Sequence, residues 1–348
     1  MRSGTFKQSY AELVALSDNP AKWAWCGAAL VAALALPLVA NSYALGLATT
    51  IAITAIAVLG LNLLTGVAGQ LSLGHAGFLA LGAYTQAILG TDHGWPALPA
   101  LAAAGAVAAL SSLAVGIPSL RLKGLYLALT TLGFSVIVTY LLVMFEGITR
   151  GPSGMPVPAL APLVPALDHG RSVYLLALLL LIAFVLATLN LMRSKIGRAW
   201  AALHEHDIAA SAMGINLTAY KLLAFVVSAF YAGVAGGLLA VQTRYVNVDT
   251  FGVLLSVEAL AMVIVGGIGR VTGALLGTAF LIGLPELIRL AFGGTGSRLD
   301  ALFANHAHEV KELLYGAAIL LFLRLEPEGL AGIWRKVKRF WVLWPLSK

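Results

Sequence analysis

Residues 65–78, TGVAGQLSLGHAGF, are the most concentrated group of flexible and polar residues in a chain that is otherwise strongly apolar. Glycine at four of these positions removes side chains, so a neighbouring helix or a solute can approach the backbone closely. Irregular backbone at membrane depth is tolerated only where protein buries it or water reaches it. Two interpretations remain open: a broken helix beside a solute path, or a tight loop whose polar groups bond neighbouring helices. The candidate pathway residues here are Asn62, Gly66, Gly69, Gln70, Ser72, Gly74 and His75.

Two ionisable residues within apolar segments could take part in transport. His75 could relay protons or contact solute, although a lone histidine is more often a structural hydrogen-bonding group. Glu258 lies in SVEALAMVIVGGIG, and a carboxylate inside a span is costly enough to be a functional candidate by default. Its segment begins at about residue 253, so a position near the outer interface is an equal alternative.

The sequence offers no constellation suited to enzymatic or metal chemistry. The single cysteine, Cys26, excludes intrachain disulfides and cysteine-based metal clusters, and His204 and His206 have no evident third ligand. A membrane-embedded enzyme would need His, Asp or Glu clustered at membrane depth, and the chain has no GxxxxGKS/T loop for ATP phosphates. We therefore predict no catalytic residue, no metal and no cofactor in this chain. Energy would then come from a partner or an ion gradient.

The elements that must position these residues are apolar helices. The chain of 348 residues is 60% hydrophobic and only 11% charged, whereas soluble domains have about 25% charged residues. Backbone groups in lipid must be satisfied within their own segment, and these runs lack the alternation of barrel strands. We predict an all-α, polytopic integral membrane protein with about ten transmembrane helices. The predicted segments are 23–40, 43–64, 71–90, 97–118, 125–145, 172–192, 221–243, 253–268, 271–291 and 310–325.

Lysine and arginine set the predicted orientation, in which both termini are cytoplasmic. With ten spans, 16 of the 22 Lys and Arg residues then fall inside, in agreement with the positive-inside rule. The net charge of +7 is thereby explained by topology, and no nucleic acid partner is expected. The predicted domains are a cytoplasmic segment (1–22), a transmembrane domain (23–325) with a cytoplasmic loop (193–220), and a basic cytoplasmic tail (326–348) against anionic lipid.

The first apolar segment has two possible fates. It could be a signal peptide cleaved after Ala40. Its leader is long and mixed in charge, and another apolar stretch follows at once, so a retained first span is preferred.

A weak internal similarity links residues 66–78 with GGIGRVTGALLGTAF, residues 266–280. Both are glycine-rich breaks between apolar segments, and such interruptions in two halves of a transporter point to its transport path. Chance similarity between segments rich in Gly and Ala is the alternative. The possible repeat with broken helices adds Gly266 and Gly267 to the predicted pathway residues.

Several long stretches resemble one family, the permeases of branched-chain amino-acid ABC transporters. The stretch LGLNLLTGVAGQLSLGHAGFLALGAYTQAIL (59–89) is similar to the family signature. Four further stretches resemble the LivM-type branch of this family: RLKGLYLALTTLGFS (121–135), TRGPSGMPV (149–157), residues 194–238 and SVEALAMVIVGGIGRVTGALLGTAF (256–280). The resemblance covers most of 43–325.

The resemblance implies a non-enzymatic transport subunit in the bacterial cytoplasmic (inner) membrane. Such a subunit forms half of a pathway with a homologous second permease. Two ATP-binding-cassette ATPase subunits, which hold ATP and Mg, drive alternating access. A periplasmic or extracellular substrate-binding protein delivers leucine, isoleucine, valine or a related small amino acid.

The resemblance also implies that the 193–220 loop contacts the ATPases through a coupling helix. Ala209, Ala210 and Gly214 match an AA-xxx-G arrangement, in which small residues permit close docking and the glycine ends the helix. From the residues alone, an ordinary amphipathic connector is the alternative. The predicted coupling residues are Gly197, Arg198, Glu205, Asp207, Ala209, Ala210 and Gly214. Two positions depart from the family pattern, since His204 replaces a basic residue and Arg270 a small hydroxyl residue.

Two other functions remain open from the sequence. A permease of the same superfamily could move urea or short amides, because the signatures of the two branches overlap. An ion-driven secondary carrier would work without ATPases and would depend on Glu258 or His75.

Overall fold

The computed structural model describes residues 20–120, 122–160, 168–292, 307–326 and 328–343. These residues form fourteen α-helices and a two-stranded ribbon. The helices are α1 Pro20–Val39, α2 Ser42–Leu61, α3 His75–Thr91, α4 Ala97–Ser119, α5 Leu125–Met144, α6 Glu146–Thr149, α7 His169–Arg193, α8 Lys195–Glu205, α9 Asp207–Ala212, α10 Leu217–Thr243, α11 Val253–Gly266, α12 Val271–Phe292, α13 Ala307–Leu325 and α14 Gly329–Leu343. The strands β1 Met155–Pro156 and β2 Tyr245–Val246 pair antiparallel.

Each of the ten segments predicted to span the membrane contains a helix, because runs of Leu and Ala favour helix and a helix satisfies its own backbone in lipid. Among the described residues, five helices are long and apolar enough to cross a membrane alone: Ser42–Val67, which is α2 with its continuation, and α4, α5, α7 and α10. α11 and α12 pass together as a sixth, bent by 119° at their break. The all-α, multi-pass prediction is confirmed, and the number of ten spans is supported only roughly.

The core of the bundle includes a crossing of α3 and α10 at glycines. A Cβ atom added at Gly82 would lie 2.1 Å from the carbonyl oxygen of Gly233, and one at Gly236 would lie 2.0 Å from that of Leu79. Without side chains at these points the two backbones pack in direct contact, as small residues allow between membrane helices. This contact holds α3 firmly against α10.

The first glycine-rich break interrupts the chain between α2 and α3. α2 continues as a π-helical turn, Asn62–Val67, and the backbone is then irregular over residues 68–74. α3 begins only at His75, four residues later than the predicted segment at 71. The irregular backbone therefore extends four residues past the predicted start of this helix.

The second glycine-rich break separates α11 from α12. Gly267 and Gly269 have φ angles of 116° and 78°. Positive φ is open to glycine without steric cost, so these two residues let α11 end and the chain turn sharply into α12.

The two ends of the bundle differ in character. At the ribbon end, β1 and β2 join the segment after α6 to the segment after α10. At the opposite end, which we call the basic end, α8 packs against the π-helical turn, and α14 packs against α11 and α12. The basic end is the one that the sequence predicts to be cytoplasmic.

Candidate functional site

The two glycine-rich breaks, which are far apart in sequence, contact each other directly. A Cβ atom at Gly66 would lie 2.4 Å from the amide nitrogen of Gly269, so the two backbones touch. The Gly269 N–H donates to Asn62 Oδ1 at 2.8 Å, and Asn62 Nδ2 donates to the carbonyl oxygen of Arg270 at 3.2 Å. Asn62 therefore links the end of α2 to the turn between α11 and α12. We call this contact the paired breaks.

The irregular backbone before α3 is hydrogen-bonded by side chains of other helices. The Leu73 N–H donates to Thr131 Oγ1 and the Ala76 N–H to Ser256 Oγ, each at 2.9 Å. Amides at the start of a helix have no partner within it, so these hydroxyls from α5 and α11 satisfy groups that would otherwise be buried without one. The backbone thus remains bonded although it is not helical.

His75 begins α3 and is almost fully buried. Its Nε2 donates to the carbonyl oxygen of Ala57 at 3.0 Å. This hydrogen bond joins α3 to α2, as expected if the histidine has a structural role. A role for His75 in contacting solute stays a prediction.

A cavity of about 400 Å³ lies among α2, α3, α10, α11, α12 and α13. Its walls are mostly aliphatic, and its volume falls in the range of about 300–1,000 Å³ typical of ligand pockets. The polar residues of its walls are Tyr43, Thr50, Thr54, Thr250, Glu258, Glu286 and Tyr315. Such walls suit a small solute with an aliphatic part and a polar or cationic part. We call it the main cavity.

Glu258 is the one predicted pathway residue in the walls of the main cavity, within the described part of the chain. The others lie elsewhere. Gly69 and Gln70 line a second cavity of about 220 Å³ at the basic end. Packed against neighbouring segments are Asn62, Gly66, Gly74, His75, Gly266 and Gly267. Ser72 is buried and accepts from the Gly74 N–H within its own segment.

The order along α2 and its continuation shows how these parts are arranged. Ala57 lines the main cavity, Asn62 and Gly66 form the paired breaks, and Gly69 lines the second cavity. The paired breaks therefore lie between two cavities. A continuous path between the two cavities at this point would require the two glycine-rich backbones to separate.

Sequence reasoning missed Glu286 and Tyr315 as residues of the main cavity. Glu286 Oε2 accepts a 2.6 Å hydrogen bond from the Tyr43 hydroxyl, which joins α12 to the start of α2. Glu286 lies on α12 and Tyr315 on α13, and only the packing of these helices brings the two side chains to one cavity. An ionisable residue inside an apolar segment was the one available indication for Glu286.

The predicted cytoplasmic loop, residues 193–220, contains two helices, α8 and α9. Ser194 Oγ caps α8 by accepting from the amides of Ile196 and Gly197 at 3.1 and 3.4 Å. The buried Trp200 fixes α8 to the start of α10 by donating from Nε1 to the carbonyl oxygen of Tyr220 at 2.8 Å. Gly197 packs so closely on Met192 that a Cβ would lie 2.3 Å from its carbonyl oxygen.

A Schellman motif at Gly214 terminates α9, whose last helical residue is Ala212. Gly214 has a φ of 84°, its N–H donates to the carbonyl oxygen of Ser211 at 3.0 Å, and the Ile215 N–H donates to that of Ala210 at 3.1 Å. These are the two bonds that define this helix end. The prediction that Gly214 ends the helix is confirmed.

Several apolar side chains are exposed on α9 and at its C-terminal end. Ile208 is 79% and Met213 84% exposed, and Ala209 is exposed between them, whereas Ala210 is 4% exposed and packs inward. The two alanines of the AA-xxx-G arrangement therefore face different surroundings. Arg198 and Glu205 are exposed on α8. Docking of a partner on this surface stays a prediction.

The loop contacts the first break directly. A Cβ atom at Gly69, whose φ is 69°, would lie 3.1 Å from the imidazole of His204. Glu205 and Asp207 line the second cavity together with Gly69 and Gln70. A movement of α8 and α9 would therefore reach the backbone of the break through packed atoms.

Asp207, the first residue of α9, forms ion pairs with Lys123, which precedes α5, and with Lys221 of α10, the latter at 3.9 Å. The hydrogen bond from the Lys123 ammonium holds the pKa of the Asp207 carboxyl below its ordinary value of 3.8. A depressed pKa stabilises the fold above the ordinary value, and this contribution is lost as the pH falls through the folded-state pKa.

We expect Asp207→Asn to lower the melting temperature slightly at neutral pH, by the equivalent of about 1 kcal/mol or less, because the pair is near the surface. The difference from wild type should be constant above the ordinary Asp pKa and shrink on acidification below it. Melting curves over a pH series, with Asp249→Asn as a control for loss of an exposed carboxylate, test this. A difference that grows on acidification would contradict the assignment.

We expect Asn62→Ala to destabilise the protein by about 1–3 kcal/mol, because it leaves the partly buried Gly269 N–H without its acceptor. The measurement is the thermal melt of the purified chain in detergent. Asn41→Ala is the control, since Asn41 is exposed and makes no side-chain capping bond at the start of α2. Equal melting temperatures for the two variants would show that the Asn62 bridge does not stabilise the paired breaks.

In the described part of the chain, no group of three or more His, Cys, Asp or Glu side chains could hold a metal ion.

Comparison with known proteins places these features in context. Residues 43–323 match the protein family described as branched-chain amino acid transport system / permease component. The high-affinity branched-chain amino acid transport system permease protein LivM of Salmonella typhimurium (strain LT2) is 34% identical over 337 residues, which cover 88% of this chain and 74% of that protein. LivM of Escherichia coli (strain K12) is 34% identical over 335 residues with the same coverage. LivH of the same strain is 25% identical over 299 residues, 80% of this chain and 91% of that protein. No solved structure matches the chain.

Proposed function

This chain belongs to the family of branched-chain amino acid transport system permease components, and we propose that it forms half of the membrane pathway of an ATP-driven importer. A homologous second permease would supply the other half, since both LivM and LivH permease proteins are similar to this chain. Two ATPase subunits and a substrate-binding protein would complete the system. The chain would lie in the cytoplasmic membrane with both termini inside.

The observation that supports this proposal best is the direct contact of the two glycine-rich breaks between two cavities, with a helical loop packed on the first break. The main cavity would accept solute from the ribbon end, and the paired breaks would block its passage. The loop would receive movement from the ATPases on the exposed surface of α9. Since His204 packs on Gly69, that movement would reach the break without an intervening flexible segment.

The walls of the main cavity favour an aliphatic amino acid as cargo. Aliphatic side chains from α2, α10 and α11 fit an apolar side chain, and Glu258, which is 8% exposed, would accept hydrogen bonds from an ammonium group. A charge-assisted hydrogen bond of this kind is about twice as strong as a neutral one. Urea has no ammonium group, so it would gain less from the carboxylate.

The proposal is tested by transport in proteoliposomes. The chain is reconstituted with its second permease, the two ATPases and the binding protein, and labelled leucine uptake is followed with and without ATP. We expect uptake that requires ATP and is competed by valine but not by urea. Competition by urea would favour the urea and amide branch. Uptake driven by a proton or sodium gradient without ATPases would favour an ion-driven carrier.

A further inference from the structure

The helix α14 at the basic end has an apolar side and a basic side, and both are exposed in this chain. Trp334 is 63% exposed, Val337 42% and Ile333 38%. A helix turns by about 100° per residue, so these three residues share one side, while Arg335 and Lys336 lie on the other. The sequence continues with Lys338 and Arg339, and residues 329–343 include no acidic residue.

This helix is attached to the second break. A Cβ atom at Gly267 would lie 2.6 Å from the carbonyl oxygen of Glu328 and 3.2 Å from Ala331, which is buried at the start of α14. A Cβ at Gly329, whose φ is 65°, would lie 2.6 Å from the amide nitrogen of Gly267. The first turn of α14 is therefore packed on the turn between α11 and α12.

Charged side chains extend this attachment toward the paired breaks. Glu328 forms an ion pair with Arg335 of α14 and lies 3.9 Å from Arg270 in the second break. The carbonyl oxygen of Arg270 in turn accepts from Asn62 in the first break. A continuous series of contacts thus runs from α14 through Glu328 and Arg270 to the paired breaks.

We propose that α14 lies on the surface of the membrane at the basic end, binds anionic lipid headgroups, and braces the paired breaks through Glu328 and Arg270. A basic amphipathic helix with tryptophan on its apolar side has the composition of helices that lie in the interface plane. Anionic lipid complements its charge. The bilayer is adjacent because α13, which leads into α14, is an apolar helix of the bundle.

Lipid binding is tested on the permease alone, so the result does not depend on the proposed transport function. The native cysteine is replaced (Cys26→Ala), and a polarity-sensitive fluorophore is attached through Val337→Cys in the full chain. The protein is placed in nanodiscs of phosphatidylcholine, with or without phosphatidylglycerol, and quenching by lipids with spin-labelled acyl chains is measured. We expect phosphatidylglycerol to increase quenching and high salt to reverse the increase.

Two variants separate charge from other effects of substitution. Each basic residue near an anionic surface strengthens binding about fivefold, so Lys338→Gln with Arg339→Gln should lower the bound-to-free ratio of the helix about 25-fold. The matched control, Lys338→Arg with Arg339→Lys, keeps both charges and should behave as the parent. Equal quenching with and without phosphatidylglycerol would overturn lipid binding.

The brace is tested by amide hydrogen exchange in the same nanodiscs. We expect phosphatidylglycerol to slow exchange in residues 265–270, because a bound α14 holds this turn in place. Arg270→Ser removes the link to Glu328 but leaves the basic residues of α14 and its packing on Gly267, so it should reduce the change in exchange while fluorophore quenching persists. Exchange that is independent of lipid composition in the wild-type chain would overturn the brace.

Discussion

Gly66→Leu is expected to abolish leucine uptake by the reconstituted system, whereas Gly46→Leu, on the same helix, should leave uptake near the wild-type level. A Cβ at Gly66 would already lie 2.4 Å from the backbone nitrogen of Gly269 and 2.6 Å from Asn62 Oδ1, and no atom lies within 4 Å of a Cβ at Gly46. Overpacking typically costs about 1–3 kcal/mol and occasionally more. The added side chain would therefore force the paired breaks apart.

Two measurements distinguish a lost gate from a misfolded bundle. Membrane insertion and melting temperature are compared for Gly66→Leu, the milder Gly66→Ala, and Gly46→Leu. If the breaks act as a gate, the Gly66→Ala variant should insert normally. The ATPase subunits of its complex should still hydrolyse ATP, but leucine uptake per ATP hydrolysed should fall below the wild-type value. Wild-type uptake by Gly66→Leu would show that close contact between the breaks is not needed for transport.

Ala209→Trp is expected to eliminate uptake with little change in melting temperature. Ala209 is exposed on α9, so a large side chain would meet no neighbour in this chain but would prevent close docking of an ATPase on this surface. Loss of a central interface contact costs about 2 kcal/mol or more, which corresponds to at least about thirtyfold weaker binding. Co-purification of the ATPases and stimulation of their activity by the loaded binding protein provide the measurements.

The neighbouring alanine and a membrane-facing alanine serve as controls. Ala210→Trp should lower the melting temperature, because Ala210 is 4% exposed and packs inward. Ala102→Trp introduces the same side chain on an exposed position of α4 within the bundle and should leave ATPase binding unchanged. Normal ATPase binding by Ala209→Trp would rule out α9 as the docking helix.

The helices themselves could be predicted because long runs of Leu, Ala and Val allow little else in lipid. The end of α9 was also predictable, since glycine directly after a short helix favours the positive φ that Gly214 adopts. The two glycine-rich breaks were recognisable as interruptions of apolar segments. In each of these cases the determining interactions lie within one turn or one segment of the chain.

The contact between Gly66 and Gly269 could not be predicted in the same way. The chain segments that form it are more than 200 positions apart, and neither glycine has a side chain that would indicate a partner. The walls of the main cavity present the same difficulty. Membrane helices that are apolar all round have no polar face to show which side is buried, so residues such as Tyr315 are assigned only by packing.

The β1–β2 ribbon has a mechanical consequence. It pairs Met155 with Val246, and the Val157 N–H donates to the carbonyl oxygen of Arg244 at 2.9 Å. These hydrogen bonds join the segment after α6 to the segment after α10. Together with the close packing of α3 on α10 at the glycines, this strand pairing should keep the ribbon end rigid. Spin labels on α3 and α10 should then keep a constant separation through an ATPase cycle, while labels on either side of the paired breaks should move apart, as the arms of a lever do about a fixed pivot.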